Sequence, residues 1–151
     1  YIHDPQDPNS LSGDIIMGVC EDDSGILWVV DNTGPVNTLD PNMKPFTLFQ
    51  HNMDDENSLS SNVVPTIAQD SDGDIWLGTQ LGGLNRYDRN SGRFTVYKSE
   101  MDNPGGISDN YVFSVMEDSS GQLWISMNDG IHGIFNPDTG TFVKKYRNPY
   151  A

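Results

Sequence analysis

The stretch Asp70-Ser71-Asp72-Gly73-Asp74 sets a carboxylate at every second position. Hard cations such as calcium take oxygen ligands of that kind. A helix–loop–helix calcium site, however, places three alternating ligands before its glycine and ends on a glutamate at the twelfth place. Here the glycine comes early, and position 81 is Leu81. The stretches Glu21-Asp22-Asp23-Ser24-Gly25 and Glu117-Asp118-Ser119-Ser120-Gly121 share only one aspartate and the glycine with it. A hairpin turn accounts for that pair better, because Asp bonds nearby backbone and Gly tolerates positive φ. His3, His51 and His132 are the remaining metal candidates. His3 and His51 lie 48 residues apart, but the next step falls on Ser99, so they form no converging set and are expected at the surface. Neither a metal nor a cofactor is expected. Glycoside cleavage would need an acid and a nucleophile at a defined separation. Acids are simply abundant here, and Asp54-Asp55-Glu56 reads as solvated loop charge. Arg86, Arg89 and Arg93 crowd one short stretch, too close in sequence to clasp a carboxylate from several sides. No catalytic residue is assigned.

The charge balance narrows the classes further. Eight Lys and Arg stand against 22 Asp and Glu, a formal net charge of −14. Phosphate affinity comes from cations that release counterions, so nucleic acid is a poor partner. A basic patch for an anionic membrane surface is excluded on the same ground. Aromatic residues make up 10% of the chain, too many for a disordered acidic tail. Fifteen Gly and nine Pro favour many short elements over long helices. No run approaches the roughly 18 apolar residues of a membrane helix. The start at Tyr1 reads as that of a mature or trimmed piece. One cysteine, Cys20, excludes an internal disulfide framework.

The elements that must position these groups emerge from an internal repeat. Trp28, Trp76 and Trp124 are spaced by 48 residues, twice. The same step links Leu11, Leu59 and Ile107; Ser12, Ser60 and Ser108; Asp22, Asp70 and Asp118; Gly25, Gly73 and Gly121; and Gly34, Gly82 and Gly130. In the middle copy, Val63 to Gln69, Asp74 to Thr79, Leu84 to Tyr87 and Arg93 to Tyr97 read as four strands joined by turns. Four short strands per 48-residue unit match a β-propeller blade. A β-sandwich also has short strands but does not demand a sequence repeat. The expected fold is all-β, with three four-stranded antiparallel meanders forming part of a propeller ring or half of an oligomeric one. The whole chain, 1–151, is then one propeller segment. Its blades fall at about 11–50, 59–98 and 107–147. Blade faces need large apolar spacers, so the three Trp, like the repeated Gly, are expected to be structural. Cys20 aligns with Ala68 and Met116 on an innermost strand and is expected to be a buried, inert thiol.

The middle copy also resembles a known family. Leu59-Ser60-Ser61-Asn62, then Ile67-Ala68-Gln69-Asp70 through Gly73 and Trp76 to Thr79, then Gly82-Gly83-Leu84 to Asp88 are similar to the two-component regulator propeller repeat. The outer copies depart from it at Val30 to Pro35, at Ser126-Met127 and at Gly130-Ile131-His132. The resemblance implies the extracytoplasmic, periplasmic sensing region of a bacterial hybrid histidine kinase. Such regions carry seven-bladed propellers, often in tandem, ahead of a small β-domain, a membrane helix and cytoplasmic signalling domains, and many are linked to sensing carbohydrate fragments. The Asp-x-x-Gly turn also resembles the aspartate box of sialidase propellers, which is structural.

Propeller ligands sit at one end of the central channel. In this frame the loops there hold Asp14, Asn62 and Asn110 at one repeated position, and Asn32, Gln80 and Asn128 at another. Amides donate and accept, which suits hydroxyl-rich sugars; the alternative is that they bond local backbone. The expected function is therefore non-enzymatic sensing of an oligosaccharide. A protein-interaction scaffold and a propeller-fold carbohydrate-active enzyme are the alternatives. At about 51° per blade of a seven-bladed ring, three blades leave two open apolar faces. Those faces call for self-association, a homodimer first, or for the remaining blades of a longer receptor.

Overall fold

The structure is a computed structural model that describes residues 3–7, 10–31, 36–40 and 43–148. Among the described residues every regular element is a strand. The first sheet contains β1 (Ile16–Glu21), β2 (Leu27–Asp31), β3 (Val36–Asp40) and β4 (Met43–Phe49). The second contains β5 (Thr66–Gln69), β6 (Ile75–Thr79), β7 (Gly83–Asp88) and β8 (Arg93–Tyr97). The third contains β9 (Val112–Glu117), β10 (Leu123–Met127), β11 (Ile131–Asn136) and β12 (Thr141–Arg147). Within each sheet the strands follow sequence order and pair antiparallel, so each is a meander. The first strands, β1, β5 and β9, meet across the seams and form the inner edge. Three four-stranded sheets thus pack face to face as blades of a propeller.

The first strand of the middle blade is shorter than the spacing predicts. It begins at Thr66, not Val63. Pro65 has no N–H to give a ladder, and Val64 is instead buried in the seam behind it. The other three predicted strands agree with the structure within a residue at either end.

The core lies between blades. Trp28, Val30 and Val36 of the first sheet pack with Leu59, Val64, Ile75 and Leu77 of the second. Trp76 and Leu84 of the second pack with Ile107, Val112, Val115, Ile125 and Phe135 of the third. Side chains alternate faces along a strand. Trp76 therefore looks toward the third blade while Ile75 and Leu77 look toward the first. Trp28 and Trp76 are 3% and 1% exposed. Trp124 occupies the same sequence position but is only half-buried, because no further blade covers it. Its ring stacks instead on its own blade's Tyr146, centroids 6.2 Å apart.

Both end faces keep apolar groups in solvent. Ile16 and Val19 are exposed on the first blade, and Met116 and Tyr146 on the third. The third face is also less apolar than an internal copy predicts. Ser126 stands where Val30 stands in the first blade, and His132 stands where Val36 and Leu84 are fully buried.

Candidate functional site

The turns between the first and second strands of each blade lie at one end of the molecule. Their repeated aspartate explains them. Asp22 accepts from the N–H of Ser24 and Ile26 and, at 2.8 Å, from the indole Nε1 of Trp28. Asp70 accepts from Asp72, Asp74 and Trp76 in the same way, and Asp118 from Ser120, Gln122 and Trp124. One carboxylate thus closes the turn and fixes the Trp ring that fills the seam. Gly25, Gly73 and Gly121 sit at φ +77°, +89° and +75°, a region that a side chain would strain. Among the described residues no group of His, Cys, Asp and Glu converges as a metal site.

Charged side chains latch adjacent blades at this same end. Arg89 of the second blade reaches Ser24 Oγ at 2.7 Å and the buried Asp22 carboxylate at 3.2 Å. Glu117 of the third blade accepts from Ser71 N and Oγ of the second. A cleft of about 350 Å³ lies beside that latch, lined in part by Asp70, Trp76, Arg86 and Glu117. Arg86 is bound to Asp74 at 2.6 Å and lies over the Trp76 ring. Arg86 and Arg89 are thus held in structural bonds. Arg93, at the start of β8, is exposed.

Hydrogen bonds to the ionised form lower a carboxyl's pKa. The Trp124 indole, then the N–H groups of Gln122 and Ser120, hold Asp118 below the usual carboxylate range. The Ser91 hydroxyl, then the N–H groups of Ser91 and Asn90, do the same for Asp88. A depressed carboxyl stabilises the fold above its unfolded pKa, and that contribution disappears as pH falls through the folded value. Melting temperature is therefore expected to hold from neutrality to about pH 4 and then to fall. Asp118→Asn should flatten part of that fall in thermal melts taken between about pH 6 and 2.5. An unchanged acid limb would show that Asp118 contributes none of it.

The opposite end carries the loops between blades and the hairpins between second and third strands. Asp14, Asn62 and Asn110 each turn a side-chain oxygen onto a backbone N–H eleven residues earlier. The donors are His3, His51 and Ser99, at 3.2, 2.6 and 2.8 Å. These side chains close the loop that leads into each blade. Gln80 and Asn128 lie on the neighbouring hairpins. Their N–H groups donate to Val63 and Tyr111 carbonyls of the same blade. The Asn128 amide also approaches Asp109 Oδ2 at 3.5 Å. Asn32, the third of that set, lies outside the described residues. The hairpin at Gly83 donates to the Asn110 carbonyl of the next blade, so the two sets meet along one rim.

Several residues that hold this rim escaped the sequence reading. The His3 and His51 rings do not sit idle at the surface. Each Nδ1 lies 2.6–2.7 Å from a carbonyl eight residues on, Leu11 or Leu59. An acceptor there requires the proton on Nδ1. Ser99 serves the third loop by donating to the Ser108 carbonyl. Asn37 and Asn85, both fully buried, clamp the first two loops. Asn85 Oδ1 accepts from Ser60 N at 3.0 Å and its Nδ2 donates to Ser60 Oγ at 2.7 Å. Asn37 makes the same pair with Ser12. The signal was present as two Ser-to-Asn separations of 25 residues; the third copy replaces the amide with Gly133. Cys20 corrects the expectation of a buried thiol. It is half-buried, and desolvation pushes its thiol up against the lowering effect of the Gln69 N–H.

Residues 58–80 and 106–129 match the family model described as two component regulator propeller. No curated protein matches the sequence significantly. Among solved structures, the extracellular domain of a hybrid two component system from B. thetaiotaomicron superposes with a TM-score of 0.82 at 22% identity. The match covers 92% of this chain and 19% of that one. The extracellular domain of a one component system from the same organism gives 0.70 at 21% identity, over 94% and 19% of the two chains. Virginiamycin B lyase from Staphylococcus aureus gives 0.63 at 19% identity, over 89% and 41%. At these identities the overlaps establish a shared propeller fold, and this chain spans about a fifth of those two extracellular domains. The chain carries the repeat of the two-component regulator propeller family.

Proposed function

We propose that this chain is a ligand-sensing, non-enzymatic propeller segment of a bacterial two-component receptor. It lies on the extracytoplasmic side of the membrane and recognises a carbohydrate fragment at the channel mouth. Its blades are assigned to residues 11–50, 59–98 and 107–147. The observation that carries this reading is the agreement of two independent matches. The repeats at 58–80 and 106–129 fit the regulator propeller, and the same blades overlay extracellular domains of regulatory systems. Among the described residues no helix is long and apolar enough to cross a membrane. Signal would therefore leave this segment through contacts with the rest of a receptor.

The mechanism asked of the propeller is modest. Ligand binds one arrangement of receptor propellers better than another and shifts the population toward it. The rim amides of Asn62, Asn110, Gln80 and Asn128 offer donors and acceptors for sugar hydroxyls, with Asp14 as a further acceptor. Exposed Ile16, Val19, Met116 and Tyr146 support reading the two end faces as seams. A second copy or further blades would cover them.

Calorimetry on the intact chain, with its mass followed by light scattering, tests this reading. Injection of a set of polysaccharide-derived oligosaccharides should release heat for at least one, and chromatography should recover that sugar unchanged. Shortened or unsaturated products would make the protein an enzyme and overturn the sensing role. Absence of binding across the set would remove the carbohydrate reading.

A further inference from the structure

The innermost strands of the two outer blades are both bent near the channel mouth. In β1 the pairing with β2 slips between Ile16 and Gly18. In β9 the pairing with β10 slips so that Met127 faces Val112 while Ser126 faces Ser114. The residues left without a partner are Met17 and Phe113, equivalent positions two repeats apart. A bulge frees one residue from the ladder and re-aims its side chain, and bulges recur beside binding sites. Both slips lie at the end of the inner-edge strand that adjoins the loops between blades. Phe113 is 46% exposed, unlike its buried neighbours Val112 and Val115, and Met17 is 53% exposed beside the exposed Ile16 and Val19.

Phe113 does not stand alone. The Tyr111 ring lies 4.3 Å from it at 32°, which makes a two-ring ledge. The Asn128 N–H holds the Tyr111 carbonyl, which sets this exposed residue next to Tyr111. Asp109 lies two residues before Tyr111 and approaches the Asn128 amide at 3.5 Å, and Asp129 follows Asn128; each has one carboxylate oxygen bound to a backbone N–H, of Tyr111 and Ile131. Across the seam Leu81 is 79% exposed and held at φ +67°, a strained conformation for a branched side chain. Its hairpin is tied to this blade through the Gly83 to Asn110 bond.

We propose that Tyr111 and Phe113 are the stacking platform for an uncharged pyranose ring, with Asn128, Asp109 and Asp129 taking its hydroxyls. This rests on the carbohydrate reading above and adds a place and a charge class to it. A pyranose has one C–H face and a rim of hydroxyls. The electron-rich faces of the two rings suit the first, and an amide beside carboxylates suits the second. The charged groups of this cluster are both anionic, on a chain of net charge −14. A uronate or sulfated sugar would meet like charge there, which disfavours it.

The test titrates the intact chain with two sets of tetrasaccharides. The neutral set comes from cellulose, mannan, xylan, starch and galactan; the anionic set comes from polygalacturonate and chondroitin sulfate. At least one neutral sugar should bind, and neither anionic one. Phe113→Ser and Tyr111→Ser should each weaken that binding at least tenfold, while Phe113→Tyr retains it. Phe113→Ser is exposed and should melt as the parent does, so loss of binding would not reflect unfolding. Neutral sugar bound equally well by both serine variants would overturn the platform and leave carbohydrate sensing standing. Preference for the anionic set would also overturn it. Silence from both sets would overturn the carbohydrate reading itself, and the platform with it.

Discussion

Replacing Trp76 by alanine should destabilise the chain by about 3–5 kcal/mol, whereas the same change at Trp124 should cost roughly 1–2 kcal/mol. The two residues share sequence position, turn and Asp partner. They differ in what lies over the ring. Trp76 is 1% exposed and packed between Leu84 on its own blade and Ile107, Val115 and Phe135 on the next. Its removal leaves a cavity in a seam that neither blade can collapse to fill, and the cost grows with that cavity. Trp124 faces solvent on one side and leans on Tyr146. Truncation there removes contacts but opens no closed void. For a domain of this size the Trp76 loss corresponds to a melting temperature lower by on the order of 10–20 °C. It is also a large part of a typical total stability of about 5–15 kcal/mol. Thermal or urea melts of both variants decide the matter. Equal losses would mean that Trp124 is covered in solution, by a second copy or by a different packing of the third blade.

Asn85→Ala should be nearly as severe, at about 2–4 kcal/mol, through a different cause. The amide is fully buried and pairs twice with Ser60. Alanine leaves the Ser60 N–H without its acceptor in a place that water does not readily reach. A stranded buried donor costs its whole desolvation, about 1–3 kcal/mol, beyond the lost packing. The loop it releases also carries Leu59 and Val64 into the first seam, both 1% exposed. Amide hydrogen exchange should therefore speed up at Ser60 first and then along 57–64. A variant that melts like the parent, with slow exchange at Ser60, would show that the clamp is incidental. Gly133→Asn should not install the missing third clamp. A Cβ at Gly133 would run into the Lys144 carbonyl, so the side chain cannot enter where Asn85 does.

These two residues also show which information was readable in the chain and which was not. Trp76 and its turn were readable because each depends on neighbours a few residues away. The Asp70 to Trp76 bond spans six positions, and a hairpin with glycine at positive φ needs only local sequence. The Asn85 clamp spans 25 positions and was overlooked, although its separation recurs in Ser12 and Asn37. A buried amide carries no pattern of its own. It looks like any strand residue until the loop it holds is placed against it. The rim aspartate and asparagines were found as a repeated set, but their oxygens close loops, which their spacing alone did not reveal.

Sequence by itself determined the unit: its 48-residue length, its four antiparallel strands, its Asp-closed turn and its spacer tryptophan. Those features follow from local chemistry written three times. Only the tertiary structure decided how alike the copies are in use. Identical tryptophans end up sealed or half-open according to whether another blade lies beyond them. Phe113 leaves the ladder at a bulge and is exposed, a slip set by how β9 pairs with the next strand. Burial and aim belong to pairs of elements, and a single element's sequence does not contain its neighbour.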